Sequence, residues 1–279
     1  MHSADQIFSA LTWSEQQTLL PGVRLSFIDT GAGGEVVVFL HANTGTVSAW
    51  ESQIPVFHRA GFRVVAFDRR GWGRSEIDHN TGVQPGTVAE DLDALMDHLR
   101  IEKFHLVGIA GGGFVALDYA HWRPEKLLTL AVCASNGQFN EPEMHSLSAY
   151  IAVPGLTGHP ELRPLLEVGV AYRSENPEGF ERFKHMEHKA RQASAPAQPM
   201  RTPNTYAKVA SIQTRTLVLM GGADLLAPPA LMRTWGAHLP NKEFACIPDA
   251  GHSINWERPQ EFNSIILEFL RTSNISKQG

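Results

Sequence analysis

A chain of 279 residues, 43% hydrophobic and with a formal net charge of −5, is long enough for one large α/β core, or for such a core with a smaller appended unit. The acidic balance and the scatter of the basic residues speak against nucleic acid or an acidic membrane as partner. No apolar run approaches the ~20 residues of a membrane span, and Met1-His-Ser-Ala-Asp-Gln-Ile-Phe8 has no basic region followed by an apolar one, so a soluble cytoplasmic protein is expected.

Short β-rich apolar runs alternate with helix-period segments. Residues 23–30 and 35–40 read as early strands separated by the turn Gly31-Ala-Gly-Gly34, and they are expected at an antiparallel edge. Further strands are predicted over 63–67, 104–108, 127–133, 214–220 and 243–247, with helices over 46–59, 87–99, 112–120, 229–239 and 259–271. Apolar runs interleaved with helices predict a mostly parallel sheet covered on both faces. Cys133 and Cys246 each fall in one of these strands, where free thiols behave as small hydrophobes in a reducing compartment.

Between 137 and 211 the alternation stops. The stretch has no strong strand, many prolines and several helical fragments, and it is too long for a structureless loop within a compact domain. It reads as a helical cap over the C-terminal edge of the sheet, where α/β folds bind ligands, with the core formed by 1–136 and 212–279. The Ala/Pro/Gln-rich piece 193–199 reads as a connection within the cap.

The most informative segment is Phe104-His-Leu-Val-Gly-Ile-Ala-Gly-Gly-Gly-Phe-Val-Ala-Leu-Asp118. An apolar strand ends in a glycine-rich turn and runs straight into a helix, which is the context of the nucleophile motif G-x-S-x-G, but the motif here is G-x-A-x-G with Ala110 at its centre. Gly108 and Gly112 mark where side chains would collide as strand and helix close on each other. A dinucleotide phosphate cradle is the rival reading; the glycines do not fall in G-x-G-x-x-G order, and no P-loop Lys-Ser or Lys-Thr follows.

Three other predicted strands end in polar segments, His41-Ala-Asn-Thr-Gly-Thr-Val-Ser-Ala-Trp50, Asp68-Arg-Arg-Gly-Trp-Gly-Arg-Ser75 and Gly221-Gly-Ala-Asp224, and the last ends in Pro248-Asp-Ala-Gly-His252. Together they resemble the α/β-hydrolase family over nearly the whole chain, and Gly-Phe-Arg-Val-Val-Ala-Phe-Asp-Arg-Arg-Gly-Trp-Gly-Arg-Ser75 is most similar to its small esterase and cofactor-free haloperoxidase members. The resemblance implies the α/β-hydrolase fold, with Ala110 at the nucleophile position, Asp224 as the acid and His252 as the base, in the family's chain order. It places the oxyanion donors at the backbone N–H groups of Gly111 and Asn43, and it implies a small-molecule substrate, no cofactor and no metal. A homodimer is left open. At His41-Ala42 the family usually has His-Gly, which implies less room beside this loop.

Each assignment has a plainer rival. Asp224 alone would be a turn aspartate and His252 a loop histidine; it is their joint placement after successive strands, on the edge to which the elbow points, that favours a dyad. The Asn43 amide either meets substrate or satisfies its own turn. Asp68 and Arg69 read as scaffold. His185 and His188, at i, i+3 spacing, lack a third metal ligand, Asp249 belongs to the turn before His252, and Trp256 and Phe139 read as packing.

Three functional readings follow. In the first, the protein is a hydrolase of a small organic ester, lactone or C–C bond, and Ala110 is an inactivating replacement of its serine. In the second, Ala110 is native and His252 with Asp224 acts as a general base in hydration, elimination, C–C cleavage or cofactor-free oxygenation. In the third, the chain is a non-catalytic ligand-binding protein. The first is preferred, because backbone strain held for a hydroxyl has little reason to persist without it.

Overall fold

Residues 13–31, 33–151 and 159–275 are described by the computed structural model of the chain, and they build one nine-stranded sheet. Residues 1–12, 276–279, Ala32, on which part of the expected Gly31–Gly34 turn falls, and 152–158, on which part of the expected cap falls, lie outside the described residues. The sheet opens with the hairpin of β1 (Gln16–Leu20) and β2 (Val23–Asp29), and β4 (Arg63–Phe67) pairs antiparallel with β2. From β4 onward the order β4, β3 (Val36–Leu40), β6 (Phe104–Ile109), β7 (Leu127–Cys133), β8 (Thr216–Gly221), β9 (Lys242–Ile247) is wholly parallel. The two-residue β5 (Glu76–Ile77) lies against β2.

The strand alternation assigns each face its own core. On one face Val37, Phe39, Val107 and Ile109 pack with Ile54 and Phe57 of α1 (Ile54–Arg59) and with Phe262 and Ile266 of α10 (Pro259–Ile275). On the other, Val38, Leu40 and Leu106 pack with Leu92 and Leu95 of α2 (Val88–His98), with α3 (Gly111–Trp122) and with Trp235 of α9 (Pro229–Gly236). The chain leaves β3 toward α1 on one face and reaches β6 from α2 on the other. The strand order therefore reverses between β3 and β6, and a crevice opens outside their carboxyl ends.

Three features depart from the sequence expectation. Of the two strands expected at an antiparallel edge only β2 lies there; β3 is interior and parallel to β4 and β6, because the chain crosses over through α1 before β4 is laid beside it. The span 46–59 is not one helix: a 3-10 turn, Val47–Trp50, precedes α1, because the ring of Pro55 clashes with the carbonyl four residues back. Strands β1 and β5 carried no apolar alternation, since β1 reads Gln-Gln-Thr-Leu-Leu with one exposed face and is held by its hairpin to β2.

Between β7 and β8 the named elements are all helical: α4 (Pro142–Ile151), a 3-10 turn at Pro160–Leu162, α5 (Arg163–Glu167), α6 (Val170–Glu175), α7 (Pro177–Ala190) and α8 (Tyr206–Ala210). Val168, Tyr172 and Phe183 form a small core of their own there. The segment is tied down by a buried ion pair, Lys208 Nζ to Asp118 Oδ1 at 2.6 Å, and Asp118 also accepts from the N–H groups of Arg201 and Thr202. Cys133 and Cys246 are both free thiols. No helix among the described residues is long and apolar enough to cross a membrane.

The Lys208–Asp118 pair gives a direct test of this attachment. Lys208→Met would leave the Asp118 carboxylate buried without its cation, and urea unfolding should show a loss of about 3–5 kcal/mol. A loss below about 1 kcal/mol would mean that the clip does not hold the helical segment to the sheet.

Candidate active site

Ala110 follows β6 directly and caps α3 with φ 49° and ψ −113°, a backbone region that L-residues rarely occupy and that costs about 1–3 kcal/mol. The turn is over-determined by its neighbours. Ala110 N donates to Cys133 O at 2.9 Å, Gly113 N donates to Ala110 O at 3.0 Å, and the buried Ser135 hydroxyl donates to the same oxygen at 2.8 Å. A Cβ at Gly112 would lie 2.2 Å from Leu40 O, and one at Gly108 would lie 2.4 Å from Gly112 O, so only glycine lets α3 start this close to β3. The strand–elbow–helix read from the sequence is present, and the side chain it presents is a methyl group.

Asp224 and His252 converge as expected, from the loops after β8 and β9. Asp224 is 3% exposed and His252 8%. The N–H groups of Leu226 and Ala227 donate to Asp224 Oδ1 at 2.8 and 2.9 Å, which fixes the carboxylate, and His252 Nδ1 donates to Oδ2 at 2.9 Å. An ionised carboxylate only accepts, so the proton sits on Nδ1 and Nε2 is the atom left for chemistry. Burial works against the imidazolium, but the Asp224 carboxylate, helped by Glu167 and Glu257, outweighs it and holds His252 up at about 9.

The loop that carries His252 is built by a residue the sequence reading passed over. The buried Glu257 carboxylate accepts from the N–H groups of Gly251 at 2.9 Å and Ser253 at 3.1 Å, one on each side of the histidine, and from Gly169 N at 3.0 Å. Glu167, from α5, is a second such residue. Its main-chain oxygen accepts from Ser253 N at 2.8 Å, and its carboxylate accepts from the Thr44 hydroxyl at 3.3 Å. Burial raises the Glu167 carboxyl above the ordinary range; the His252 charge opposes that rise and the Asp224 charge adds to it.

Asn43 and Gly111, the expected oxyanion pair, meet at the switch point. The Asn43 amide lies against Gly111, where a Cβ would come within 2.3 Å of Asn43 Oδ1. Both residues line a cavity of about 480 Å³ whose wall also includes Thr44, Glu167 and Glu187 and the guanidinium-bearing Arg69, Arg163 and Arg191. Glu187 is pushed up to about 7 by burial and by the nearby Glu167 charge. Ala110 and His252 are not part of this wall, and Glu167, which touches both Thr44 and Ser253, bridges the cavity side and the histidine loop.

The model of the alpha/beta hydrolase family matches residues 37–265. The chain belongs to the alpha/beta hydrolase family. This hydrolase is 29% identical over 272 residues to a 2-hydroxy-6-oxononadienedioate/2-hydroxy-6-oxononatrienedioate hydrolase of Paraburkholderia phymatum, covering 89% of this chain and 91% of that protein. Among solved structures it is similar to a thermophilic esterase from Thermogutta terrifontis with malate bound, at 27% identity and a TM-score of 0.74, over 94% of this chain and 99% of that one. It is also similar to an N-acyl homoserine lactone degrading enzyme, at 26% identity and a TM-score of 0.72, over 91% of this chain and 100% of that one. An alpha/beta hydrolase acting on small substrates is what these findings support in common.

The remaining residues singled out in the sequence sort cleanly in this hydrolase. Asp68 is scaffold, accepting from Val47 N at 2.7 Å and Arg74 N at 3.1 Å, whereas Arg69 faces the cavity. Phe139 packs on Tyr206 and Trp235, Trp256 packs on Phe183, and Asp249 is exposed. Among the described residues no group of three or more His, Cys, Asp or Glu side chains is placed to hold a metal ion, His185 and His188 included.

The His252 proton has a measurable consequence. An unfolded imidazole releases its proton near pH 6.5, while folded His252 keeps it to about pH 9. The bound proton therefore stabilises the fold fully below pH 6.5, and that contribution is lost as pH rises through about 9. Thermal melts should show stability falling with pH across this window, with a smaller fall in His252→Gln. Equal slopes for the two proteins would show that His252 is not held protonated.

Proposed function

We propose that this alpha/beta hydrolase cleaves a small organic ester, lactone or C–C bond in a substrate bearing a carboxylate, by Ser-His-Asp chemistry in which Ala110 occupies the place of the serine. The observation that carries this reading is the buried 2.9 Å bond from His252 Nδ1 to Asp224 Oδ2, together with an elbow held at φ 49°. A binding pocket has no need of an oriented imidazole, and a strained turn has no use without a group to present. Both features therefore favour a serine replaced by alanine over a ligand-binding role.

With a hydroxyl at position 110 the steps follow from the donors in place. His252 Nε2 would take the hydroxyl proton as the oxygen attacks the substrate carbonyl, and the oxyanion would form against the N–H groups of Gly111 and Asn43. The imidazolium would then protonate the leaving group. Water, deprotonated by the same nitrogen, would release the acid and regenerate the hydroxyl. With alanine the first bond cannot form, and what remains is substrate binding with any direct attack by water.

The substrate carboxylate is supported by Arg163 and Arg191, whose exposed side chains line the cavity with Arg69. The curated relative is named for a dioate, and the thermophilic esterase holds malate, so carboxylates recur among the similar proteins. The helical segment 137–211 contributes Arg163, Glu167, Glu187 and Arg191 to the cavity wall, which supports reading it as the cap that sets specificity.

Ala110→Ser is the test. On aryl esters and lactones with and without a carboxylate arm, the serine variant should hydrolyse about a thousandfold faster than the unmodified chain, and His252→Ala should abolish the gain. The rate should rise with pH as the imidazolium gives up its proton. No gain from serine, together with His252-dependent turnover by the unmodified chain, would overturn the replacement reading in favour of serine-less general-base chemistry.

A further inference from the structure

Arg69 is a buried cation with no ion-pair partner among the described residues. It is 8% exposed, and among the described residues no carboxylate lies within 4.0 Å of it. Isolated buried charges are expensive, so one that persists beside a cavity calls for a function. Burial, then the Arg191 charge, lowers its ionisation to about 10, which still leaves it cationic at neutral pH.

Two of its guanidinium nitrogens donate to one short loop, while the buried Nε has no partner among the described residues. Nη1 donates to Asn43 Oδ1 at 2.9 Å, Nη2 donates to His41 O at 3.1 Å, and the backbone N of Arg69 lies 3.2 Å from His41 Nε2. The guanidinium stands 5.0 Å from the centre of the Trp72 ring, and Trp72 Nε1 donates to Asn43 O at 2.8 Å. Every oxygen of Asn43 is thereby occupied from the Arg69–Trp72 side.

The chemistry of the pair settles which way the Asn43 amide is turned. Arginine donates and never accepts, so the atom of Asn43 that faces it must be the oxygen. The amide nitrogen Nδ2 is left as the free end of an exposed side chain that lines the cavity next to Gly111, and it has no hydrogen-bond partner among the described residues. A neutral residue at position 69 able both to donate and to accept would allow either orientation.

We propose that Arg69 is a positioning residue of the oxyanion site, which locks the Asn43 amide with Nδ2 toward the cavity so that it donates to an acyl or carboxylate oxygen of the substrate beside the backbone donors. The nature of that acceptor rests on the hydrolase reading above; the locking of Asn43 does not. The site then selects against ligands that present an N–H at this point, because two donors would face each other.

The experiment has two arms. In the unmodified Ala110 protein, labelled with ¹⁵N-asparagine, the Asn43 side-chain resonance is assigned by its loss in Asn43→Ala and followed on addition of benzoate. It should shift in the unmodified protein and in Arg69→Lys, which still only donates, but not in Arg69→Met or in Arg69→Gln. In the Ala110→Ser background, Arg69→Met should lower kcat by about a hundredfold with KM nearly unchanged, and should add nothing to the loss caused by Asn43→Ala. A benzoate shift that survives Arg69→Met and Arg69→Gln, or additive losses in the double variant, would overturn the proposal. If Ala110→Ser hydrolyses nothing, the hydrolase reading fails, while the resonance arm still decides the role of Arg69.

Discussion

The contact on which the rest of this structure depends is the crossing of the first turn of α3 over the end of β3, with the Cα of Gly112 set against Leu40 O so closely that a Cβ would lie 2.2 Å from it. That approach goes with the positive φ of Ala110 at the start of α3. It also sets the His41–Asn43 loop, which begins where Leu40 ends, directly beside Gly111. Elbow and oxyanion loop are thus two consequences of one packing constraint at the point where the strand order reverses. The cost of the strained residue is offset by the three hydrogen bonds that Cys133, Gly113 and Ser135 make to Ala110.

None of this machinery depends on the hydroxyl. The proposed backbone oxyanion donors involve no side chain of residue 110, the dyad is held by Leu226, Ala227 and Glu257, and the elbow is held by glycines and Ser135. On the proposed reading, a serine replaced by alanine would remove a reacting atom and leave its surroundings intact. His252 is flanked by the carboxylates of Asp224, Glu167 and Glu257, in keeping with an imidazolium that persists to about pH 9.

What could be read from the sequence was local chemistry. The elbow, the two loops that carry Asp224 and His252, and the parallel sheet each have a pattern within about ten residues: an apolar run, a glycine turn, or a strand end followed by a polar residue. Glu167 and Glu257 have no such pattern, and Arg69, which does follow the end of β4, carries no local sign that it closes on Asn43. Glu257 matters because three N–H groups from two separate loops meet its carboxylate, and Arg69 because its loop closes back on Asn43. Convergence of that kind is a property of the folded chain. The break at Pro55 was legible in principle and was overridden by the apolar period around it; β1 was not, because pairing with β2 supplies what its sequence lacks.

The most direct measurement is mass spectrometry of Ala110→Ser after exposure to a fluorophosphonate, with the unmodified chain as control. An intact elbow, dyad and oxyanion site predict one stoichiometric phosphonyl adduct, mapped to the peptide containing residue 110, absent from the control and lost when His252→Ala is added. A folded serine variant that takes up no adduct would contradict the proposal that a hydrolase site stands complete around Ala110.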